Sequence, residues 1–131
     1  MRSAGGVSCA AWRLVGRSPS GPLDDAGVGV FDLYQNGRVV ATVASADALV
    51  DVGRMPRIAP VLGDDALVEL LGSRGAADED WAACLLAEGA IVDGDTVEVT
   101  GSARTTVVAT GPRDTVEIAR FEVWPTIRKV R

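Results

Sequence analysis

Apolar and polar residues alternate along much of this chain, with the period of two that a half-buried strand requires. The pattern is clearest late in the sequence. Val97 and Val99 alternate with Thr96, Glu98 and Thr100, so one face is apolar and the other wet. Asp93-Gly94-Asp95 precedes that run as a tight turn, where Asp side chains can satisfy turn amides. Beyond Gly101, residues Arg104 to Ala109 resume with Thr105, Val107 and Ala109 on one face. The two runs predict an antiparallel pair across Gly101-Ser102-Ala103.

Nearer the start, Cys9 to Val15 predicts a first strand and Val28 to Tyr34 a second. Between them, Gly16 to Ala26 is expected to be a loop, because Ser18-Pro19-Ser20-Gly21-Pro22 is dense in breakers. Asn36-Gly37 is a strong hairpin signal, returning the chain as a third strand over Val39 to Val43. Ala46 to Val52 fits a helical turn or another strand. Pro56 and Pro60 keep Met55 to Pro60 extended or irregular.

Two short helices are expected next. Asp64 and Asp65 stand at an N-cap before Ala66 to Leu71, which presents Leu67, Leu70 and Leu71 and is closed by Gly72. Asp78 caps the second, Glu79 to Ala87, whose Trp81, Cys84 and Leu85 share a face; Gly89 ends it. Ile91 opens a short strand. The last strand spans residues 115–124, where apolar parity changes between Val116/Ile118 and Phe121/Val123. A β-bulge near Ala119-Arg120, or burial on both faces, would reconcile them. Trp124-Pro125 ends regular pairing. The expected fold is mainly β with two short inserted helices, a small, partly open antiparallel β-barrel or curved sheet.

A length of 131 residues suits one domain, 1–131, with a real core. Aromatics are 5%, so that core must be chiefly Val, Leu, Ile and Ala, with Trp12, Trp81 and Trp124 as anchors rather than pocket walls. The net charge of −5 is uneven. Residues 1–22 carry Arg2, Arg13 and Arg17 and no acid; residues 120–131 carry four bases against Glu122; residues 23–119 carry 17 acids against 6 arginines. No concentrated basic surface is offered to nucleic acid. If the basic ends meet, they form a patch for an acidic partner or an anionic membrane surface.

Chemistry is scarce. With no histidine, Ser-His and Cys-His arrangements cannot form. Cys9 and Cys84 are too few for a zinc site or a disulfide framework, and two buried thiols are the expected state. The carboxylate pairs Asp24-Asp25, Asp64-Asp65, Asp78-Glu79-Asp80 and Asp93/Asp95 each have a cap, loop or turn role. Asp93-Gly94-Asp95 lacks the other positions of a calcium loop. Gly27-Val28-Gly29 precedes a strand, so it is no phosphate cradle. Residues 1–15 hold no continuous apolar run, so no signal peptide is expected, and no run reaches transmembrane length. The expected location is cytoplasmic, at most peripheral to a membrane.

Three stretches resemble the GIDE-type domain, the β-rich, membrane-adjacent module of mitochondrial RING-type E3 ubiquitin ligases, with relatives in bacteria. Ser3-Ala4-Gly5-Gly6-Val7-Ser8-Cys9-Ala10-Ala11-Trp12-Arg13-Leu14 is similar to the family's opening of a Ser and Gly run, then Cys, an aromatic and Arg. Ala26-Gly27-Val28-Gly29-Val30-Phe31-Asp32 is similar to its Gly-bearing turn into a strand. Gly94-Asp95-Thr96-Val97-Glu98-Val99-Thr100-Gly101, after Glu88 and Ile91, resembles its late turn and strand. The section between the first two elements is shorter here, Gly16–Asp25, and the segment before Glu88 is helix-like where the family is extended. The resemblance implies partner binding rather than catalysis. Two cysteines make no RING finger, and the matched positions carry no functional residue over.

The leading expectation is a non-catalytic protein-interaction module without cofactor or metal, binding a protein and no nucleic acid. Its surface would be Arg2, Arg13, Arg17, Arg128, Lys129 and Arg131. The alternative is a small-molecule or enzymatic barrel mouth using Glu88, Asp93 and Asp95. A third reading is a self-associating protein whose last strand pairs across a dimer.

Overall fold

The Asn36-Gly37 pair closes the hairpin its sequence predicts. In the computed structural model, which describes residues 1–3, 6–18, 21–58 and 85–130, both residues have positive φ, 53° and 75°. That backbone twist matches the twist of the flanking strands. Strands β3 (Phe31–Gln35) and β4 (Arg38–Val43) run antiparallel on either side. Their register passes from Leu33 opposite Ala41 to Tyr34 opposite Val39, which leaves Val40 as the extra residue of a bulge.

This hairpin belongs to a sheet of order β3-β4-β10-β9. In it β10 (Thr115–Phe121) lies parallel to β4, and β9 (Arg104–Ala109) is antiparallel to β10. A second sheet has the order β2-β1-β7-β6, from β1 (Ala11–Ser18), β2 (Gly21–Val28), β6 (Arg57–Ile58) and β7 (Leu85–Ile91). The third, β5-β11-β8, joins β5 (Leu49–Asp51), β11 (Thr126–Val130) and β8 (Thr96–Thr100).

One core serves all three sheets. Ala11 of β1, Val43 of β4, Val50 of β5, Ile91 of β7 and Ile127 of β11 are buried together with Val52, and Phe31, Leu33, Val97, Val99 and Phe121 pack around them. The cluster is aliphatic, as the low aromatic content requires. Each fully buried Val or Ile contributes about 1.5–3 kcal/mol by leaving water, so the sheets hold one another in place.

Several expectations are corrected. Among the described residues all regular structure is strand, and the three sheets do not close into a barrel. Two of the three sheets are also mixed rather than antiparallel, since β10 runs parallel to β4 and β11 to β5, while β2-β1-β7-β6 is antiparallel throughout. The helix expected over Ala66 to Leu71 lies outside the described residues. Of that expected over Glu79 to Ala87, Leu85 to Ala87 belong to β7 and the rest lies outside. Strand β7 is buried on both faces, with Leu86 and Glu88 on one and Gly89 and Ile91 on the other. It therefore offers no alternation for a strand to be read from. Gly89 ends no helix; it sits within β7, where an added Cβ would strike the Val52 side chain.

The loop expected over Gly16 to Ala26 is instead a hairpin. Arg17 faces Pro22 and Ser18 faces Gly21, so the breakers mark only its tip and an edge strand where proline is tolerated. Nor do β8 and β9 pair with each other: β8 pairs β11, and β9 pairs β10. Between them Gly101 takes φ +146°, a conformation that passes the chain from one sheet to another. No bulge interrupts β10, whose register with β9 is continuous from Thr115 to Arg120. The parity change reflects surroundings: Ile118 is buried on one face, while Phe121, on the other, packs against the shared core. Trp124 is no core anchor, being 64% exposed with φ +43°. Trp12 is half-buried across Gly27; Trp81 lies outside the described residues.

Candidate functional site

A groove of about 950 Å³ runs between β3 and the turn joining β7 to β8. Every residue from Val30 to Gln35 lines one wall, so both faces of β3 contribute and the groove follows the strand's outer edge. That edge has no neighbouring strand among the described residues, because β3 pairs β4 alone. Residues Ile91 to Val97 form the opposite wall, and Ser8, Cys9 and Ala10 lie at one end.

The polar groups are mainly carboxylates. On β3, Asp32 is exposed, and its Oδ1 accepts a 2.7 Å hydrogen bond from Oγ1 of Thr42, its cross-strand partner. Asp93 is exposed at the turn and makes no ion pair among the described residues. Asp95 shapes the turn. Its Oδ2 accepts from the Val92 amide at 2.8 Å, and its own amide donates to the Val92 carbonyl at 3.1 Å. The same carboxylate meets Lys129 Nζ at 3.1 Å. The Val92 amide first, and Lys129 after it, hold the Asp95 carboxyl below the usual aspartate range.

Asp93 and Asp95 are thus together on one wall, as the turn sequence implies. Glu88 is not with them. It lies three residues before the end of β7, opposite Leu14, 7% exposed, and does not line the groove. Cys9 does line it, but burial pushes its thiol up and the Glu88 carboxylate adds to the effect against the opposing N-terminus. A protonated thiol is a poor nucleophile and a poor metal ligand. Among the described residues no cluster of three Cys, Asp or Glu side chains could hold a metal.

Three of the basic residues expected to form a patch are paired with acids. Arg13 donates from Nε and Nη2 to the two carboxylate oxygens of Asp24, at 3.3 and 3.1 Å. Arg128 pairs with Glu98 at 3.0 Å, and Lys129, besides Asp95, donates to the Ala90 carbonyl at 3.2 Å. Arg2 donates to the Gly6 carbonyl at 2.9 Å. Arg17 is exposed, and Arg131 lies outside the described residues. Three of the six cations are therefore paired with acids, Asp24 of β2, Glu98 of β8 and Asp95 of the β7–β8 turn.

Sequence reasoning missed two features. Asp32 falls inside the strand predicted over Val28 to Tyr34 with no role assigned to it, although an acid inside an otherwise apolar Phe31-Asp32-Leu33 run is a signal of a wet edge. It also missed the cluster at the base of the β9–β10 hairpin. There Glu122 Oε1 accepts from Arg104 Nη2 at 2.8 Å and from Arg120 Nε at 2.5 Å. Arg104 and Arg120 face each other across the ladder, and the shared carboxylate offsets their repulsion. No protein-family model, curated protein or solved structure matches this chain.

Proposed function

We propose that this chain is a non-catalytic interaction module whose groove takes up an extended, basic segment of a partner protein along β3. One observation carries the reading: the groove follows a strand edge that has no neighbouring strand among the described residues, instead of closing over as a cavity. An edge strand offers backbone donors and acceptors to an incoming strand, and side chains along the groove supply selectivity. Here they alternate apolar Phe31 and Leu33 with Asp32, and Asp93 faces them. Lysine or arginine alternating with aliphatic residues complements that pattern. The absence of histidine and the raised thiol of Cys9 support a role without covalent chemistry. The resemblance to the GIDE-type domain points the same way, toward partner binding.

The pairing of Arg13, Arg128 and Lys129 with acids weakens the alternative of a basic docking face, and with it membrane attachment through the ends. No helix among the described residues is long and apolar enough to cross a membrane.

A labelled peptide alternating lysine and valine tests the reading by fluorescence anisotropy. Binding is expected at low salt, weakened about tenfold or more by Asp32→Lys together with Asp93→Lys. A matching glutamate-valine peptide should not bind. Equal binding of both peptides, or no effect of the charge reversals, would refute the proposal.

A further inference from the structure

Six described strands sit at a sheet edge: β2, β3, β5, β6, β8 and β9. Edge strands invite unwanted pairing, and folded proteins usually blunt them by charge, proline or short length. Five of the six conform. Strand β2 carries Pro22, Asp24 and Asp25; β3 carries Asp32; β8 carries Glu98; β5 and β6 have three and two residues. Strand β9 does not. After Arg104 it continues Thr105-Thr106-Val107-Val108-Ala109, with Thr110 next, without charge or proline. It is also exposed on both faces, with Val107 61% and Val108 39% accessible, and Val116 beside it 40%.

We propose that β9 pairs antiparallel with β9 of a second copy of this chain, about a two-fold axis through Val107. Backbone pattern sets the choice of axis. In an antiparallel ladder both residues of a pair point their amide and carbonyl the same way, toward or away from each other. A symmetric pairing must therefore match residues of equal parity, so the axis passes through a residue. Val107 is the centre that uses all of residues 104–110. Val107 then faces its own copy, Thr106 faces the second copy's Val108, and Thr105 the second copy's Ala109.

Charge favours a second copy as the occupant. Centred on Val107, Arg104 lies opposite the second copy's Thr110. The Thr110 amide donates to the Asp114 carbonyl at 2.9 Å within the hairpin, and the ladder's register places Asp114 across from Thr110. Each Arg104 thus comes within two strand spacings of the second copy's Asp114, about 10 Å between backbones; the two side chains span that distance once Arg104, 69% exposed, swings away from Glu122, which keeps Arg120. The two-fold axis makes this contact twice, while the two Arg104 residues stay at opposite ends. Arg113 of the same turn is exposed and can turn to water. On the same face, Ile118, Thr106 and the second copy's Val108 and Val116 form one row, covering valines that a lone chain leaves wet. The product is a continuous eight-stranded sheet.

Size-exclusion chromatography with light scattering, over a range of concentrations, reads the outcome. The wild-type chain is expected to show twice its own mass, dissociating on dilution. Val107→Lys, at an exposed position, would set two like charges together and raise the midpoint for association by about tenfold or more. Val123→Lys, exposed but outside β9, should leave it unchanged. The positive test is Val107→Cys. Facing pairs in antiparallel strands stand about 4.5–5.5 Å apart at Cα, within disulfide reach, so mild oxidation should yield a covalent dimer that the wild type does not give. A wild-type monomer at high concentration would overturn the proposal. So would association indifferent to Val107→Lys, or a Val107→Cys chain that fails to crosslink while still dimeric.

Discussion

The two edges of the sheet β3-β4-β10-β9 are built differently. At one, β3 carries Asp32 and borders a groove with Asp93 on the far wall. At the other, β9 is uncharged beyond Arg104 and stands in water on both faces. The strands between them, β4 and β10, carry buried Val43 and Ile118. The difference separates two tasks within one sheet. An acidic edge selects a partner of opposite charge and rejects a copy of itself, because two β3 edges would bring carboxylates together. A neutral, self-complementary edge does the reverse.

The comparison can be broken most severely from within. Ile118→Ala removes a buried side chain from the strand that supports β9, and should cost about 2–5 kcal/mol in urea unfolding, loosening the whole sheet. Val107→Ala, on the exposed edge, should stay within about 0.5 kcal/mol for the monomer. Next in size, Asp32→Ala removes the acceptor of the largely buried Thr42 hydroxyl and should cost about 1 kcal/mol. It should also weaken binding in the groove without altering self-association.

A subtler test separates the edges by acid. Arg120 first, with Arg104 beside it, holds the Glu122 carboxyl below its ordinary value of 4.5. A lowered carboxyl contributes its stability above the ordinary value and loses it as the pH falls through the lowered one. Acidification from neutrality past that value should therefore lower the protection of the Thr105 to Ala109 amides, read as exchange relative to the intrinsic rate at each pH. Glu122→Gln should show the lower protection already at pH 7 and a flatter change of protection with acid. The smallest effect is expected for Arg13→Ala, which breaks an exposed pair with Asp24 and should cost about 0.2–1 kcal/mol, measurable by thermal unfolding and silent at both edges.

Local signals in the sequence were reliable where the structure they specify is local. Asn36-Gly37 marks its hairpin, Asp93-Gly94-Asp95 its turn, and Val97 and Val99 the inward face of β8. Pairing between distant segments left no such trace. Nothing near Gly101 shows that β8 will join β11 while β9 joins β10. The breakers at residues 18–22 mimic a loop because a charged, proline-bearing edge strand has the composition of one. Strand β7 looked helical because a strand covered on both faces has no period of two. At the site, the acids of the β7–β8 turn were legible. The pairing of Arg128 and Lys129 with acids was not, because Arg128 meets Glu98 and Lys129 meets Asp95 only through the register of β11 with β8.

Backbone amide shifts, followed while the lysine-valine peptide is titrated into the labelled protein, test the groove most directly. Shifts confined to Phe31–Gln35 and the turn at residues 92–95, with β9 unmoved, are the predicted result. Shifts centred on β9, or scattered over the basic residues with β3 silent, would contradict it.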